Sequence, residues 1–459
     1  MTLANVKGTD IDMGKYFGTD GFRGEANKTL TVYHAFEVGR YLGWYYGKER
    51  ECRIAIGKDT RRSSYMFESA LAAGLSASGA DAYLLHVTTT PSVSYIVRTE
   101  DFDCGIMISA SHNPYFDNGI KLINRHGEKM SDTVTADVEA YLDGKIGELP
   151  LATDEKIGRI VDHFAGRNRY AGYIISLAKN SYRGIKVGLD ASNGSTWCLA
   201  KNIFDTLGAE TYVIGNTPNG ININDSCGYT HIEALRSLVL EKKLDIGFAF
   251  DGDADRCLAV CENGDVLTGD HILYICAKRM KAEGKLSGNT VVSTVMSNLG
   301  LKRALDGVGI DTVATDVGDR FVYEAMKKGS YSLGGEESGH IIFSKFASTG
   351  DGLITAVKVM EAYVESGMEA SRLAEGVVSF PQVTVNIPVY DKDTVIADAE
   401  VQAAKREAED VLAGEGRVLL RKSGTEPVVR VMVEAAGETL CRNVAESIAD
   451  AVRKKSRKL

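Results

Sequence analysis

Ile106-Met107-Ile108-Ser109-Ala110-Ser111-His112-Asn113-Pro114 is an apolar run that stops at small residues and meets a polar turn. Asp117-Asn118-Gly119-Ile120-Lys121 follows close behind. A short apolar run closed by turn residues reads as a buried strand. The turn would then push Ser111 toward solvent, with His112 and Lys121 near it in sequence. Two readings are open. Ser, Asn and Pro are ordinary turn residues, so this is either a polar corner or a hydroxyl placed to carry a covalent group. The choice depends on whether loops for phosphate and metal occur elsewhere.

The same rhythm runs outward from this strand. Arg53–Gly57, Ala82–Val87 and Cys104–Ser109 read as strands, with a helix from Met66 to Ser78 between the first two. Strand-like runs resume at Ile185–Asp190, Thr211–Ile214, Asp245–Phe250, Thr290–Val295 and Thr312–Thr315. Strands alternating with helices predict α/β layers with mostly parallel sheets. The C-terminal part differs. Val383–Val389 alternates like a half-exposed strand. A helix is expected from about Val395 to Leu412, capped by Asp393 or Thr394, then strands at Arg417–Arg421 and Val428–Val433, then a helix from Glu438 to Lys454. That order predicts an α+β domain with an antiparallel sheet.

A chain of 459 residues is too long for one core. Boundaries are expected near residues 157, 266 and 379, giving domains 1–157, 158–266, 267–379 and 380–459. The net charge of -9 argues against a nucleic-acid binder, which would carry a basic face. The eight cysteines form no CxxC pair, so neither a zinc site nor a disulfide framework is indicated, and reduced thiols in the cytosol are expected. The first residues lack the apolar core of a signal peptide, and no apolar run reaches the length of a membrane span.

Further loops carry possible chemistry. Asp251-Gly252-Asp253-Ala254-Asp255-Arg256 follows a strand, and its three carboxylates could converge on one hard cation such as Mg²⁺. An EF-hand is the rival, since Glu262 stands at the twelfth position, but Arg256 occupies the place where that loop needs glycine. A solvated acidic turn is the plain alternative. In Arg421-Lys422-Ser423-Gly424-Thr425-Glu426-Pro427, with Arg430 beyond, hydroxyls, backbone N–H groups and guanidiniums could cradle a phosphate, or form a hairpin turn with surface arginines. In Gly334-Gly335-Glu336-Glu337-Ser338-Gly339-His340, Glu336 and Ser338 could bind sugar hydroxyls and His340 could carry a proton; a glycine-rich turn is equally open. Arg23, in the Gly-bounded stretch Tyr16–Gly24, could point at a phosphate. A serine, a metal site, phosphate binders and a sugar-like loop, each at the edge of a different unit, would be explained by four domains around one central cleft.

With these loops in this order the chain resembles the α-D-phosphohexomutases from end to end. Ser111–Pro114 looks like their phosphoserine loop, Asp251, Asp253 and Asp255 like the magnesium loop, Glu336, Ser338 and His340 like the sugar-binding loop, and Arg421–Pro427 like the phosphate-binding loop. The resemblance implies three tandem α/β units of similar topology and a C-terminal α+β domain. Lys15–Gly21, Gly318-Asp319-Arg320 and Gly424 look like the branch acting on glucosamine phosphates, because the branch acting on mannose and glucose phosphates usually has Asn where Gly424 stands. Glu337 departs from the Gln usual in the glucosamine branch.

What the resemblance implies about chemistry is specific. Ser111 is phosphorylated and, with Asp251, Asp253 and Asp255, completes a Mg²⁺ shell. Lys121, Arg256, His112 and Arg23 stand near for charge stabilisation and proton transfer. The sugar phosphate sits on Arg421, Ser423, Gly424, Thr425 and Arg430. The reaction interconverts glucosamine 6-phosphate and glucosamine 1-phosphate through a 1,6-bisphosphate, which also serves as activator, and supplies amino-sugar nucleotide and cell-wall precursor synthesis. The alternative is a phosphomannomutase/phosphoglucomutase. Partners are small sugar phosphates, not nucleic acid or membrane, and a homodimer is compatible with the resemblance.

Overall fold

The computed structural model describes residues 14–18, 20–423 and 427–456. The described chain forms two compact units, one of residues up to 294 with Val313–Ala374, the other of Val295–Thr312 with residues from Glu375 onward.

In the first unit the strand of the opening stretch, Cys104–Ile108, lies inside a seven-stranded sheet. It pairs in parallel with Arg53–Lys58, which pairs in parallel with Asp81–Val87. On its other edge it pairs antiparallel with Asp117–Asn124, Ile108 opposite Ile120. Both faces are covered. Ile54, Ile56, Ile106 and Ile108 pack into one core with residues of helices Val32–Gly47 and Arg62–Ala77. Ala55 and Met107 pack into another with Val93, Ile96 and Val97 of helix Thr90–Thr99. Burial on both faces explains why these strands read as continuous apolar runs rather than alternating ones. The two helices cross closely enough that a Cβ on Gly74 would lie 2.2 Å from the Phe36 carbonyl oxygen.

The pattern recurs in two further sheets. Ile246–Phe250 pairs in parallel with Lys186–Asp190 and antiparallel with Cys257–Cys261. Leu333–Gly335 pairs in parallel with Thr290–Thr294 and antiparallel with Ile341–Phe343. The sheets are thus mixed rather than mostly parallel, and the reason bears on function. In each one a parallel strand turns back on itself, and the turn is a loop singled out in the sequence: 109–116, 251–256 and 336–340. This places all three at the carboxyl ends of parallel strands, where α/β sheets bind ligands.

In the second unit Gln382–Pro388, Val428–Glu434 and Arg417–Lys422 form an antiparallel sheet, as expected, with Val428–Glu434 in the middle. The single helix expected from Val395 to Leu412 is two, Lys392–Ala397 and Ala399–Leu412. Asp398 breaks it, because its extended backbone lets its carboxylate cap the second helix at Glu400 N–H. The first helix is capped by Asp391, not Asp393 or Thr394, since Asp391 accepts from both of their N–H groups. Fully buried Glu434 receives Arg417 Nε at 2.6 Å and the Leu299 N–H at 3.0 Å, while Arg417 also donates to the Val295 and Ser297 carbonyls. Residues 295–299 are thereby fixed to the C-terminal sheet.

Candidate active site

Ser111 has φ +52°, a left-handed backbone that a residue with a Cβ adopts only when its surroundings impose it. Those surroundings are visible. Arg61, fully buried, donates to the Ser111 and Asn113 carbonyls at 2.9 Å and to the Asp117 carbonyl at 3.0 Å. Asn224 Nδ2 donates to the same Ser111 and Asn113 carbonyls at 2.9 and 3.1 Å. Asp59 orients Arg61 through Nε at 2.7 Å and accepts from Ser64 and Ser109, while the Ser109 hydroxyl oxygen accepts the Ser111 N–H at 3.0 Å. The sequence reading missed Asp59, Arg61 and Asn224. The signal was there in Lys58-Asp59-Thr60-Arg61, where charged residues close a buried strand with no solvent to receive them.

The strained turn aims the Ser111 hydroxyl at the magnesium-type loop. Its Oγ donates to Asp251 Oδ2 at 2.5 Å and lies 3.3 Å from His112 Nδ1. The two loops touch so closely that a Cβ on Gly252 would come within 2.5 Å of the Ser111 carbonyl oxygen, so glycine is required there. Asp251, Asp253 and Asp255 are buried, and each offers an oxygen within 4.8 Å of the other two. Asp253 Oδ1 and Asp255 Oδ1 are buried without a hydrogen-bond partner. A buried carboxylate oxygen with no donor is costly, and three at such spacing suit a hard divalent cation. The start of helix Thr90–Thr99 supports the loop, since the Thr90 N–H donates to the Asp253 carbonyl at 3.0 Å and its hydroxyl to the carboxylate.

Lys121 Nζ, 7% exposed, lies 2.8 Å from Asp253, 3.1 Å from Asp20 and 3.5 Å from Asp255. Asp20 also pairs with Arg23 and with Lys129, whose second partner, Asp319, is 2.7 Å away. These groups set one another's ionisation. Burial, then the charges of Asp255 and Asp253, raises Asp251 well above the usual carboxylate range. Burial works the same way on Asp255, but Lys121 and then His340 outweigh it and hold Asp255 well below that range. Burial would lower Lys121, yet Asp20, Asp253 and Asp255 together raise it. His112 is lowered to about 4, first by burial and then by Arg256 and Arg23, so it is neutral near pH 7, with one ring nitrogen unprotonated and Nδ1 facing Ser111. Arg256 is held by the Tyr229 hydroxyl and by its own backbone N–H to Asp251 at 3.1 Å.

His340 accepts the Gly350 N–H on Nε2 at 2.9 Å and turns Nδ1 toward Asp255 at 3.8 Å. Glu336 accepts the Gly318 N–H at 3.1 Å, which ties the sugar-type loop to the start of helix Asp319–Gly329. Ser338 is half-buried beside it. A cavity of about 710 Å³ in the first unit is lined by Asp20, Lys121, Lys129, Asp255, Asp319 and His340. The structure thus brings together Ser111, His112, Lys121, Arg23, Arg256, the three aspartates and His340.

Arg421, Ser423 and Arg430 belong to the second unit. Arg421 and Arg430 stand directly opposite on neighbouring strands, and burial followed by the Arg430 charge lowers Arg421 from its usual pKa. Two like charges so placed favour an anion between them. Ser423 is buried, and its carbonyl accepts from Lys392 Nζ at 2.7 Å. Gly424 and Thr425 lie outside the described residues.

The chain matches the models of all four domains of phosphoglucomutase/phosphomannomutase: domain I over residues 14–146, domain II over 168–264, domain III over 268–380 and the C-terminal domain over 385–451. It is 63% identical over 446 residues to phosphoglucosamine mutase of Lachnospira eligens, covering 96% of this chain and 99% of that one. It is 47% identical to phosphoglucosamine mutase of Bacillus subtilis, with the same coverage. Among solved structures it resembles a phosphoglucomutase/phosphomannomutase family protein of Burkholderia thailandensis, with a TM-score of 0.81 at 22% identity over 96% of this chain and 97% of that one. N-acetylphosphoglucosamine mutase of Aspergillus fumigatus, solved with GlcNAc-6P and magnesium, gives a TM-score of 0.66 at 17% identity over 96% of each chain. In sequence, in domain order and in fold, the chain belongs to the phosphoglucomutase/phosphomannomutase family.

Proposed function

We propose that this chain is a phosphoglucosamine mutase, interconverting glucosamine 6-phosphate and glucosamine 1-phosphate through a phosphorylated Ser111. The observation that carries the reaction class is the Ser111 hydroxyl, held in a left-handed turn 2.5 Å from Asp251 in a buried triad with orphaned oxygens. The choice of sugar is supported by full-length relatives of that name at 63% and 58% identity.

Asp251, Asp253, Asp255 and the Ser111 side chain would hold Mg²⁺. When bound, the cation polarises phosphoryl oxygens and offsets charge as the group transfers. In the first half-reaction the Ser111 Oγ–P bond breaks as a bond forms from phosphorus to the free sugar hydroxyl, giving a 1,6-bisphosphate. The hydroxyl's proton passes to a neutral acceptor, and His112, uncharged and 3.3 Å from Ser111 Oγ, is the nearest histidine to do so. Arg23, Lys121 and Arg256 face the phosphoryl group as it moves. The residues proposed to take the other sugar phosphate are Arg421, Ser423, Gly424, Thr425 and Arg430. In the second half-reaction the reoriented bisphosphate returns its other phosphoryl group to Ser111. Glu336, Ser338 and His340 orient the sugar ring, and a hexose 1,6-bisphosphate restores any enzyme that loses its phosphate.

Rates of isomerisation of glucosamine, glucose and mannose phosphates, each with the matching bisphosphate, test the reading. The largest kcat/KM is expected for glucosamine phosphate. A preference for mannose or glucose phosphate overturns the sugar, and steady release of inorganic phosphate without isomerisation overturns the mutase.

A further inference from the structure

Lys121 and a divalent cation compete for the same carboxylates. The Lys121 ammonium lies 2.8 Å from Asp253 Oδ2 and 3.5 Å from Asp255 Oδ2, two of the three groups that would hold the metal. A dication and an ammonium held by the same buried pair repel each other. Lys121 is only 7% exposed, so it cannot retreat to water, and a buried ammonium left without a partner is strongly disfavoured.

We propose that Asp20 is a positioning residue that receives Lys121 and so frees Asp253 and Asp255 for the cation. The proposal rests on the metal reading above. Asp20 is not one of the triad, yet its Oδ2 already stands 3.1 Å from Lys121 Nζ. Its other oxygen is held 3.2 Å from Lys129, which is anchored in turn at 2.7 Å by Asp319 from the third domain. Arg23 closes a third side of the same carboxylate. Asp20 is therefore fixed from three directions and needs no movement to take the whole of the Lys121 interaction. Without its charge, and with no phosphate on Ser111, the metal carboxylates become the anionic partners left to Lys121, and the lysine competes with the cation.

The test is a double-mutant cycle read by cation affinity rather than turnover. Mn²⁺ binding to the full-length protein is measured by electron paramagnetic resonance, with Mg²⁺ competition, for wild type, Asp20→Asn, Lys121→Met and the double variant. Asp20→Asn is expected to weaken binding roughly tenfold or more, the size usual for a group that positions the neighbours of a metal. Lys121→Met is expected to tighten it. In the Lys121→Met background Asp20→Asn is expected to change nothing, because no lysine remains to be received. An equal weakening in both backgrounds shows only the loss of a nearby negative charge and overturns the proposal, as does no weakening at all. If wild type binds no Mg²⁺-displaceable Mn²⁺, the metal reading itself fails and the proposal falls with it. Melting temperatures check that each variant folds; should the Asn variant melt early, Asp20→Ser takes its place in the cycle with the same outcomes.

Discussion

Two buried charged clusters meet at Ser111, and they are built on opposite plans. Below the turn, Asp59 and Arg61 are both fully buried and satisfied: the carboxylate accepts from Arg61, Ser64 and Ser109, and the guanidinium feeds the carbonyls of the serine loop. Above it, Asp251, Asp253 and Asp255 are just as buried, but two oxygens have no donor and one carboxyl is pushed far up in pKa by burial and its neighbours. A satisfied buried network fixes a shape. An unsatisfied one stores a demand that a ligand meets. Ser111 takes its geometry from the first and its chemistry from the second.

Ser111 is where the two clusters meet, and its loss has the largest expected effect. Ser111→Ala removes the hydroxyl and leaves the clamped carbonyl in place, so mutase activity is expected to fall at least about a thousandfold. Intact-mass measurement should show no phosphorylated species, and the melting temperature should hold. Near-normal turnover in that variant defeats the covalent mechanism.

Arg61→Met attacks the satisfied cluster. It leaves Asp59 buried without its cation and takes the guanidinium donor from the carbonyls of the serine loop, a change expected to cost about 3–5 kcal/mol in urea unfolding. A cost near zero means that the clamp does not hold the turn.

Asp253→Asn attacks the unsatisfied cluster and should give the reverse pattern. Activity and Mg²⁺ affinity are expected to drop roughly a hundredfold or more, while stability changes little, because the repulsion relieved among the carboxylates offsets the ion pair lost to Lys121. A stability loss on the scale of Arg61→Met makes the two clusters alike and ends the contrast.

Asp351 sharpens the scale between these extremes. It is a buried carboxylate held by the Tyr170 hydroxyl at 2.8 Å and the Ile354 N–H at 2.9 Å, and burial raises it to about 6 despite those donors. Because the folded pKa lies above the ordinary 3.8, the fold penalises the ionised form. Its contribution to stability is greatest below about pH 4 and is lost as pH rises to about 6, a change of about 3 kcal/mol. Asp351→Asn should flatten that part of the pH–stability curve measured by thermal unfolding. An unchanged curve assigns the slope to other groups.

The sequence was most legible where local pattern and function coincide. The run at residues 104–108 announced a buried strand, and the spacing of Asp251, Asp253 and Asp255 announced converging carboxylates, because each depends on neighbours in the chain. Asp59 left a local trace, as a charge closing a buried strand, but its partner Ser109 lies 50 residues on. Asp20 and Asn224 were not legible, because they act on Lys121 and Ser111 from distant parts of the chain and nothing in their own surroundings states where the fold brings them. The sheets looked parallel because a strand buried on both faces carries no record of its partner's direction. The antiparallel returns after Ile108, Phe250 and Gly335 needed the fold to appear. The break at Asp398 was missed because helix periodicity runs across it.

The grip of Glu434 and Arg417 on residues 295–299 bears on how this chain can be recombined. A chimera that exchanges residues 380–459 alone would install a sheet whose fully buried glutamate expects the Leu299 N–H and whose arginine expects the Val295 and Ser297 carbonyls, all from a foreign segment. Inheritance here is discontinuous: residues 295–312 and the C-terminal stretch travel as one cassette, and a graft that respects only the linear order of domains splits it.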